Sequence, residues 1–350
     1  YIDLDEIGLF IAYIGAFSAL LAAFIATRQN DIKKILAYST MSQLGYMFIA
    51  VGLGFYSTGL FHVFTHAFFK AMLFMGAGGV IMALHHQQDI FKIAQNRASL
   101  PIIGFTFLVG VIAISGIPPF SGFFSKDAIL AAAFQEEQYI IWAIAMFTAF
   151  LTAFYMFRLY FIVFVAPSPK VKKYVYTPKT VTFPLLILAI GAIGAGFLNL
   201  PVIFGGEHLV DTWLGQLNSK TIHMSHSTEY ILMGASILVA AMGILVAYKK
   251  YANFDVTKPE EEVGLIGNKF YIDEVYDVVF VKSLKKLSTF IDKVLDDKII
   301  DGFIMSSSSS FVNIGKKVAM LQNANVRFYA TFMLLGMTCI FIYIYITLGL

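Results

Sequence analysis

Long apolar runs alternate with shorter polar connections along this chain, and eight of the runs are long enough to cross a bilayer. A hydrocarbon core of about 30 Å needs roughly 20 helical residues. The runs are continuous and do not alternate apolar with polar positions, so they predict helices rather than the strands of a barrel. The predicted spans are Ile7–Thr27, Ile35–Phe55, Thr58–Leu84, Leu100–Phe124, Ile140–Val165, Val181–Ile203, Tyr230–Tyr248 and Phe328–Leu350. The predicted fold class is an all-α polytopic membrane protein.

The fourth span is expected to be discontinuous. Its end, from Ser115 to Asp127, reads SGIPPFSGFFSKD. Two prolines flanked by glycines and serines do not continue a helix. At membrane depth, the backbone groups freed by such a break persist only where they line a cavity or are buried in protein. Discontinuous helices of this kind mark ion pathways in transporters.

About 75 residues separate the seventh and eighth spans, and a different helical pattern fills much of this connection. From Ile272 onward, apolar residues recur at helical spacing while charged residues fill the other face. This pattern predicts an amphipathic helix that lies along a surface. Continued from Phe270 to Gln322, the helix would reach roughly 80 Å at about 1.5 Å per residue. Gly302 and the run Ser306–Ser310 are expected to interrupt it.

The loop charges predict an orientation, because cytoplasmic connections collect Lys and Arg. Every odd-numbered connection is basic, whereas the even-numbered ones are nearly uncharged or acidic. The basic residues are Arg28, Lys33, Lys34, Lys92, Arg97, Lys170, Lys172, Lys173, Lys179, Lys249 and Lys250, and the acidic ones are Glu136, Glu137, Glu207, Asp211 and Glu229 beside Lys220. We therefore expect the amphipathic helix on the cytoplasmic side and both Tyr1 and Leu350 outside. Because the sequence begins with tyrosine and the acidic stretch 3–6 is unlike a signal peptide, residues are expected to precede Tyr1.

Composition narrows the function classes. Of the 350 residues, 58% are hydrophobic and 13% charged, and the net charge is only +3, so nucleic-acid binding is not expected. The single cysteine, Cys339, excludes an intrachain disulfide and a cysteine-ligated iron–sulfur or zinc site. The chain carries no phosphate loop or dinucleotide fingerprint. The spacing of its histidines and acids between 207 and 229 fits no closed metal site. No cofactor and no metal are expected in this chain.

The third span carries the first candidate site. His62, His66 and Lys70 are spaced four residues apart, which places them in one stripe of a helix. Lys70 lies near the middle of the span, too deep to extend its ammonium to the surface. A lysine at this depth costs about 3 kcal/mol to insert, so it is expected to face protein or water and to exchange protons. The alternative is a lysine buried and paired for packing specificity.

Two neighbouring segments add polar groups. Lys126 and Asp127 follow the break, either as a fixed charge pair or as a titratable end of a path toward the outside, and the alternative is an ordinary interfacial pair. Arg158 is interpreted as an anchor near the internal end of the fifth span. Polar side chains in the second span predict either a chain of waters or hydrogen bonds between helices; they are Tyr38, Ser39, Thr40, Ser42, Gln43 and Tyr46.

Three segments carry a family resemblance: LAYSTMSQLGYM in the second span, HAFFKAMLF in the third and SGIPPFSGFFSKD in the fourth. In this order they resemble the antiporter-like membrane subunits of respiratory NADH:quinone oxidoreductase. That superfamily also includes Mrp-type sodium/proton antiporters and membrane-bound hydrogenases. FYIDEVYD at Phe270–Asp277, the long amphipathic helix, LQNANVRFYA and the last span resemble the C-terminal part of the distal, largest member of the family.

The resemblance implies a domain organisation. Members contain two inverted five-helix repeats and flanking helices. Residues 1–165 would be the second repeat with its broken fourth helix, and residues 166–250 two further spans. Residues 251–325 would be the lateral amphipathic helix on the cytoplasmic side, and residues 326–350 its C-terminal anchor.

The resemblance also implies a function. Lys70 would be the central proton-transfer residue, His62 and His66 would lie on its route, and Lys126 with Asp127 would form the outward end. Protons would move through these side chains and waters, driven by electron transfer in other chains, so this chain would be a translocase subunit without a redox centre.

The expected partners are lipids, protons and other membrane subunits, especially an adjacent antiporter-like subunit contacted by the lateral helix. The expected location is a bacterial inner membrane. The alternatives are a sodium/proton antiporter subunit and a non-conducting structural clamp.

Overall fold

The computed structural model describes residues 4–97, 99–170, 177–200, 209–213, 219–320, 322 and 324–348. Over these residues the chain is helical and has no strand, apart from one isolated bridge between Asp31 and Asp89. The predicted all-α class is confirmed. The chain divides into two compact units, Tyr1–Phe270 and Tyr271–Leu350.

The first unit is a bundle of long helices with short helices in its connections. Its elements are α1 (Leu4–Arg28), α2 (Ile32–Gly52), α3 (Tyr56–Ala83), α4 (Ile90–Gln95), α5 (Pro101–Ser115), α6 (Ser121–Gln135), α7 (Tyr139–Tyr160, continued by a π-helical turn Phe161–Val165), α8 (Lys179–Gly194, continued by a 3-10 turn Ala195–Leu198), α9 (Leu209–Trp213), α10 (His226–Tyr251) and α11 (Gly264–Gly267).

Seven helices of the described chain are long and apolar enough to cross a membrane, the last of them in the second unit. The predicted fourth span is divided between α5 and α6, with the break over residues 116–120. Its expected end at Phe124 is wrong, because α6 continues to Gln135. The apolar run stops where Lys126 and Asp127 begin, but the helix continues because these two side chains are buried in protein.

Close backbone contact joins α1 to α2. A Cβ added to Gly45 would lie 2.5 Å from the carbonyl oxygen of Gly15, which is closer than any side chain tolerates. Glycine at this position lets the two backbones touch, as small residues do at helix interfaces in membranes. The largest core cluster lies deeper, where buried side chains such as Phe69, Phe107 and Tyr155 join α3, α5 and α7.

The connections of the first unit meet in two groups. The second and fourth connections form one end of the bundle, the even end, and the first and third form the other, the odd end. At the even end, Lys220 links the second and fourth connections: its backbone nitrogen donates to the Gly54 oxygen at 3.0 Å and its Nζ pairs with Glu136 at 2.7 Å. At the odd end, the Ile32 nitrogen donates to the Gln88 oxygen at 3.0 Å, which joins the first and third connections. Alternate connections therefore meet, as they do when successive helices cross one layer in opposite directions.

The second unit is a long helix followed by an apolar one. α12 (Ile272–Tyr276), α13 (Lys282–Ile291) and α14 (Gly302–Met320) are joined by π-helical turns at Asp277–Val281 and Asp292–Asp301, and α15 spans Val326–Leu348. The helix is therefore uninterrupted from 272 to 320, and the expected interruption is wrong. The hydroxyls of Ser309 and Ser310 both donate to the Ser306 oxygen at 2.8 Å, so the serines bond within the helix.

The described residues of the long helix are nearly all exposed, the polar and the apolar ones alike. Val275, Val279, Leu284 and Leu287 are all more than half exposed within the unit. The apolar residues of the helix are therefore not covered by its own unit.

Candidate functional site

The five predicted site residues lie on two helices of the first unit. His62, His66 and Lys70 are on α3, and Lys126 and Asp127 are on α6. His62 is fully buried, Lys70, Lys126 and Asp127 are buried, and His66 is half-buried. Because α6 begins directly after the break, the break places the second pair beside the first group.

Lys70 is surrounded by neutral hydrogen-bond partners. Its Nζ donates to the Leu36 oxygen at 2.8 Å and to the hydroxyl of Ser39, and it lies 5.5 Å from the centre of the Phe74 ring. Among the described residues no carboxylate pairs with it. The dipoles of α2 therefore solvate this charge, and it does not depend on a fixed counter-charge.

His62 connects three helices through hydrogen bonds. Its Nδ1 lies 2.9 Å from the Ser125 hydroxyl on α6, and its Nε2 lies 3.1 Å from the Gln43 oxygen on α2. Ser125 in turn lies 2.8 Å from the hydroxyl of Thr65. With the amide oxygen facing Nε2, these contacts fit a proton on Nε2 and an Nδ1 that accepts from Ser125. They join Thr65, Ser125, His62 and Gln43 in one hydrogen-bonded chain.

His66 lies one helical turn after His62 and one turn before Lys70 on α3. Its ring centre is 6.2 Å from that of His62 and 5.3 Å from that of Phe69. It interacts electrostatically with both Lys70 and Lys126. Its Nε2 is buried without a hydrogen-bond partner in the described chain. A ring nitrogen left in this way can exchange a proton with a neighbour through a water.

Lys126 uses the broken end of α5. Its Nζ donates to the Ile114 oxygen at 2.7 Å and lies 5.3 Å from the centre of the Tyr46 ring. The last carbonyls of a helix lack partners within the helix and carry partial negative charge, which stabilises a cation there. Gly122 permits this approach, because a Cβ at that position would lie 2.0 Å from the Ala113 oxygen.

Asp127 faces a different helix. Its Oδ1 accepts from the Ser236 hydroxyl of α10 at 2.8 Å. The structure thus gives Lys126 and Asp127 separate partners rather than a fixed charge pair. Both side chains are buried, so the interfacial interpretation of this pair is wrong.

Three polar groups of the second span make hydrogen bonds to other helices. Ser39 accepts from Lys70, Gln43 meets His62, and the Tyr46 hydroxyl donates to the Ala145 oxygen of α7 at 2.5 Å. These contacts fix α2 against α3, which carries part of the site, and against α7.

The sequence predicted that Arg158 is an anchor. In the structure it also belongs to a buried polar cluster at the odd end. Its side chain is fully buried, and its two terminal nitrogens donate to the Gln29 oxygen at 2.7 Å and to Asn30 Oδ1 at 2.8 Å. Glu260 Oε2 lies 3.8 Å from Nη2. Sequence reasoning missed Glu260, because it lies far from Arg158 along the chain and only the fold brings them together.

Glu260 also bonds the end of α10. It accepts from the Tyr251 hydroxyl at 3.0 Å and pairs with Lys250 at 2.8 Å. Burial alone would raise the pKa of its carboxyl, but the hydrogen bonds from Lys250 and Tyr251, together with the charge of Arg158, hold that pKa below its usual value. The segment that precedes the second unit is therefore fastened to the bundle by an ionised carboxylate.

No group of histidine, cysteine or acidic side chains in the described chain is arranged to hold a metal ion. Of the histidines and acids considered for this role, Glu207 and His208 lie outside the described residues. The side chain of Asp211 does too.

Comparison with known proteins matches the part of the sequence that carries the predicted site residues. A family model described as NADH:quinone oxidoreductase/Mrp antiporter, TM, matches residues 2–152. This range contains α1 to α6 and every predicted site residue.

Curated relatives match almost the whole chain. NAD(P)H-quinone oxidoreductase chain 5 of Picosynechococcus sp. is 38% identical over 91% of this chain and 53% of its own length. NADH-quinone oxidoreductase subunit L of Neisseria meningitidis serogroup B is 33% identical over 93% of this chain and 54% of its own. The chain thus spans about half the length of the curated relatives it matches.

A solved structure shares the fold. The Mrp complex from Dietzia sp. DQ12-45-1b aligns with a TM-score of 0.53 at 18% identity, covering 95% of this chain and 33% of the matched chain. At this identity the likeness concerns the fold alone.

Proposed function

We propose a function on the premise that this chain belongs to the family of antiporter-like membrane subunits of NAD(P)H:quinone oxidoreductase, which contains chain 5 and subunit L. It is a multi-pass membrane protein. Our proposal is that it corresponds to the C-terminal half of such a subunit. There it passes protons through buried lysine and histidine side chains and intervening waters, driven by electron transfer in other subunits of the complex.

The observation that carries the proposal is the group of titratable side chains on α3 and α6 within the bundle, which includes the buried Lys70 and Lys126. His66 interacts electrostatically with both lysines, and the hydrogen-bonded chain of His62 reaches Ser125, the residue before Lys126. A bundle built only for packing has no need of a lysine that lacks a counter-charge, because burying one is costly.

The proposed route begins at Lys70. From there a proton passes to His66 or His62, then to the region of Lys126 and Asp127, and from there to the outside. Positive charges at Lys70, His66 and Lys126 repel one another, so a proton that arrives at one group favours departure from the next. A change in the charge of Lys70, set by neighbouring groups, is then the switch that moves protons in one direction.

In this proposal the odd end, which carries the basic connections, lies on the cytoplasmic side of a bacterial inner membrane, and protons are released at the even end. The long helix of the second unit would lie on the same cytoplasmic side. Its exposed apolar residues fit contact with an adjacent antiporter-like subunit, and α15 would anchor its far end in lipid. Other membrane subunits of the complex are the expected partners.

The test is proton uptake driven by NADH in inside-out membrane vesicles that carry Lys70→Ala in the full-length gene. Uptake is normalised to NADH oxidation and to the amount of assembled complex. The control is Lys33→Ala, at an exposed lysine of the odd end. We expect uptake per NADH to fall with Lys70→Ala and to stay unchanged with Lys33→Ala. An unchanged ratio in an assembled Lys70→Ala complex would favour the non-conducting clamp instead.

A sodium/proton antiporter subunit is the second candidate, because the matching family model also describes Mrp antiporters. Sodium dependence of transport in the same vesicles separates the two. Transport that requires sodium would support the antiporter, whereas uptake that is unaffected when potassium replaces sodium supports proton translocation.

A further inference from the structure

The ion pair at the odd end has its positive member on the inside. Arg158 lies in the last turn of α7 with a side chain that is only 1% exposed, whereas the side chain of Glu260 is 21% exposed. Their nearest atoms, Arg158 Nη2 and Glu260 Oε2, are 3.8 Å apart. The more exposed partner is the carboxylate, so the guanidinium is the inner member of the pair.

Glu260 offsets the charge of Arg158 only in part. The carboxylate is shared with Lys250, whose Nζ lies closer to it, at 2.8 Å. Arg28, at the end of α1, interacts electrostatically with Arg158 and adds another positive charge. An arginine side chain stays protonated in proteins, so the charge at this place is permanent.

The hydrogen bonds of Arg158 also leave its charge in place. Its acceptors are neutral oxygens, the backbone oxygen of Gln29 and Oδ1 of Asn30. The second carboxylate of this segment, Glu262, accepts from the Asn30 backbone nitrogen at 2.6 Å. The guanidinium is thus held by neutral groups on two sides and by one shared carboxylate.

Buried polar atoms beside the guanidinium call for water. Gln29 is fully buried, and neither its Oε1 nor its Nε2 has a hydrogen-bond partner in the described chain. The same is true of Arg158 Nε. Buried polar groups of this kind are satisfied by ordered water when protein provides no partner. Water at this depth would give protons a medium in which to approach the interior.

One helical turn separates Arg158 from the surroundings of Lys70. Tyr155, three residues earlier on α7, is fully buried, and its hydroxyl faces that of Ser39. Ser39 in turn accepts from Lys70 Nζ. The hydroxyl of Tyr155 has no direct hydrogen-bond partner in the described chain, so a water would join these groups. Arg158 therefore lies at the point where the odd end comes nearest to this polar group.

A translocating bundle needs a barrier at this point. If Lys70 exchanged protons freely with both ends, protons would flow back and the gradient would be lost. A fixed positive charge repels hydronium without removing water, and an arginine excludes protons from water pores in this way. A unit charge at about 10 Å and an effective dielectric constant of about 20 changes the local proton concentration by on the order of tenfold.

We propose that Arg158 is a charge barrier that keeps protons at the odd end of this bundle from reaching Lys70. The proposal rests on the proton-translocating function above and adds to it a residue that determines which end exchanges protons with Lys70. In this proposal protons reach Lys70 from the remainder of the subunit. Glu260 then has a different role, which is to hold the guanidinium in position.

The test is passive proton flux, which needs no NADH. Purified full-length complex is reconstituted into liposomes that contain a pH-sensitive dye, and valinomycin with equal potassium on both sides holds the membrane potential at zero. The rate of internal acidification after an acid pulse is measured per assembled complex. Arg158→Gln removes the charge, and its matched control Arg158→Lys keeps it. We expect flux to rise by on the order of tenfold with Arg158→Gln and to stay at the wild-type rate with Arg158→Lys.

Two further variants separate charge from packing. Glu260→Gln loosens the same cluster but keeps the positive charge, so a barrier made of charge stays closed, whereas a mechanical plug would leak. The double variant Arg158→Gln/Glu260→Gln removes both charges, so no unpaired carboxylate is left in the cluster. It is expected to leak as Arg158→Gln does, and it replaces that variant if the single change prevents assembly.

The path of the leak is checked by adding Lys70→Ala to Arg158→Gln, which we expect to abolish the extra flux. Extra flux that persists would show that the protons bypass Lys70 and would overturn the proposal. Wild-type flux in the assembled complex that lacks the Arg158 charge overturns it as well. So does a leak through Arg158→Lys or Glu260→Gln as large as that through Arg158→Gln.

The proposed function is judged separately, by proton uptake per NADH in Lys70→Ala. Lost uptake together with a tight Arg158→Gln complex leaves the proposed function standing and removes only the barrier. Normal uptake in Lys70→Ala removes the proposed function, whatever the passive flux shows.

Discussion

Gly122→Ala is the substitution whose effect follows most directly from the geometry. The added Cβ would lie 2.0 Å from the Ala113 oxygen, whereas ordinary contacts begin at 3.4 Å. The obstacle is backbone on both sides, so α5 and α6 must separate by about 1.4 Å to relieve it. Overpacking of this kind costs about 1–3 kcal/mol.

The separation acts directly on Lys126. Its Nζ lies 2.7 Å from the Ile114 oxygen, and a displacement along the same direction would extend this distance to about 4 Å, beyond hydrogen-bond range. Gly122→Ala is therefore expected to release Lys126 from the end of α5 and to lower pumping, although no titratable group is changed.

The assay compares Gly122→Ala with Gly78→Ala, where an added Cβ meets no atom within 4 Å. Both are made in the full-length gene, and proton uptake per NADH is measured along with the thermal unfolding of the purified complex. We expect lower uptake and a lower midpoint for Gly122→Ala and wild-type behaviour for Gly78→Ala. Unchanged pumping and unchanged stability in Gly122→Ala would refute the close approach of the two half-helices and the role assigned to it.

Two further predictions concern single hydrogen-bonded groups. Glu260→Gln is expected to destabilise the protein by about 1–3 kcal/mol, because it leaves the buried Arg158 without its counter-charge; Glu261→Gln, at an exposed neighbour, is the control. Because the pKa of the Glu260 carboxyl lies below its usual value in the folded protein, its stabilisation is complete above that usual value and is lost as the pH falls through the lowered pKa. The difference in unfolding midpoint between wild type and Glu260→Gln should therefore narrow in acid, and a difference independent of pH would contradict this assignment. Ser125→Ala removes the link between His62 and Thr65 and should lower proton uptake per NADH at a cost of about 1 kcal/mol in stability, whereas full uptake would show that this chain is not used.

Hydropathy was sufficient to predict most of the fold, because a helix that crosses a bilayer must be long and apolar. The prediction failed where contacts in the folded chain outweighed a local preference of the sequence. The apolar run of the fourth span ends before Lys126, yet α6 continues because those charges are buried among other helices. Serine is a weak helix former, yet Ser306–Ser310 remain helical because their hydroxyls bond to the preceding turn.

The sequence predicted which titratable side chains α3 and α6 would carry, but not their contacts. Spacing alone places His62, His66 and Lys70 on one face of α3. The partners of the two lysines, however, are the backbone oxygens of Leu36 and Ile114, which no residue type reveals. The same holds for Glu260, whose partner Arg158 is close only in the folded chain.

The neutral surroundings of the two lysines bear on how a buried charge can change at low cost. If Lys70 were paired with a carboxylate, losing its proton would leave an uncompensated buried negative charge, and breaking such a pair costs about 3–5 kcal/mol. With the Leu36 oxygen and the Ser39 hydroxyl as partners, a neutral amine can still donate to the carbonyl and accept from the hydroxyl. Lys126, bonded to the Ile114 oxygen, keeps a donor contact in both states in the same way. A broken helix and a run of hydroxyls therefore provide what a proton carrier requires, which is a site with hydrogen-bond partners both before and after the proton leaves.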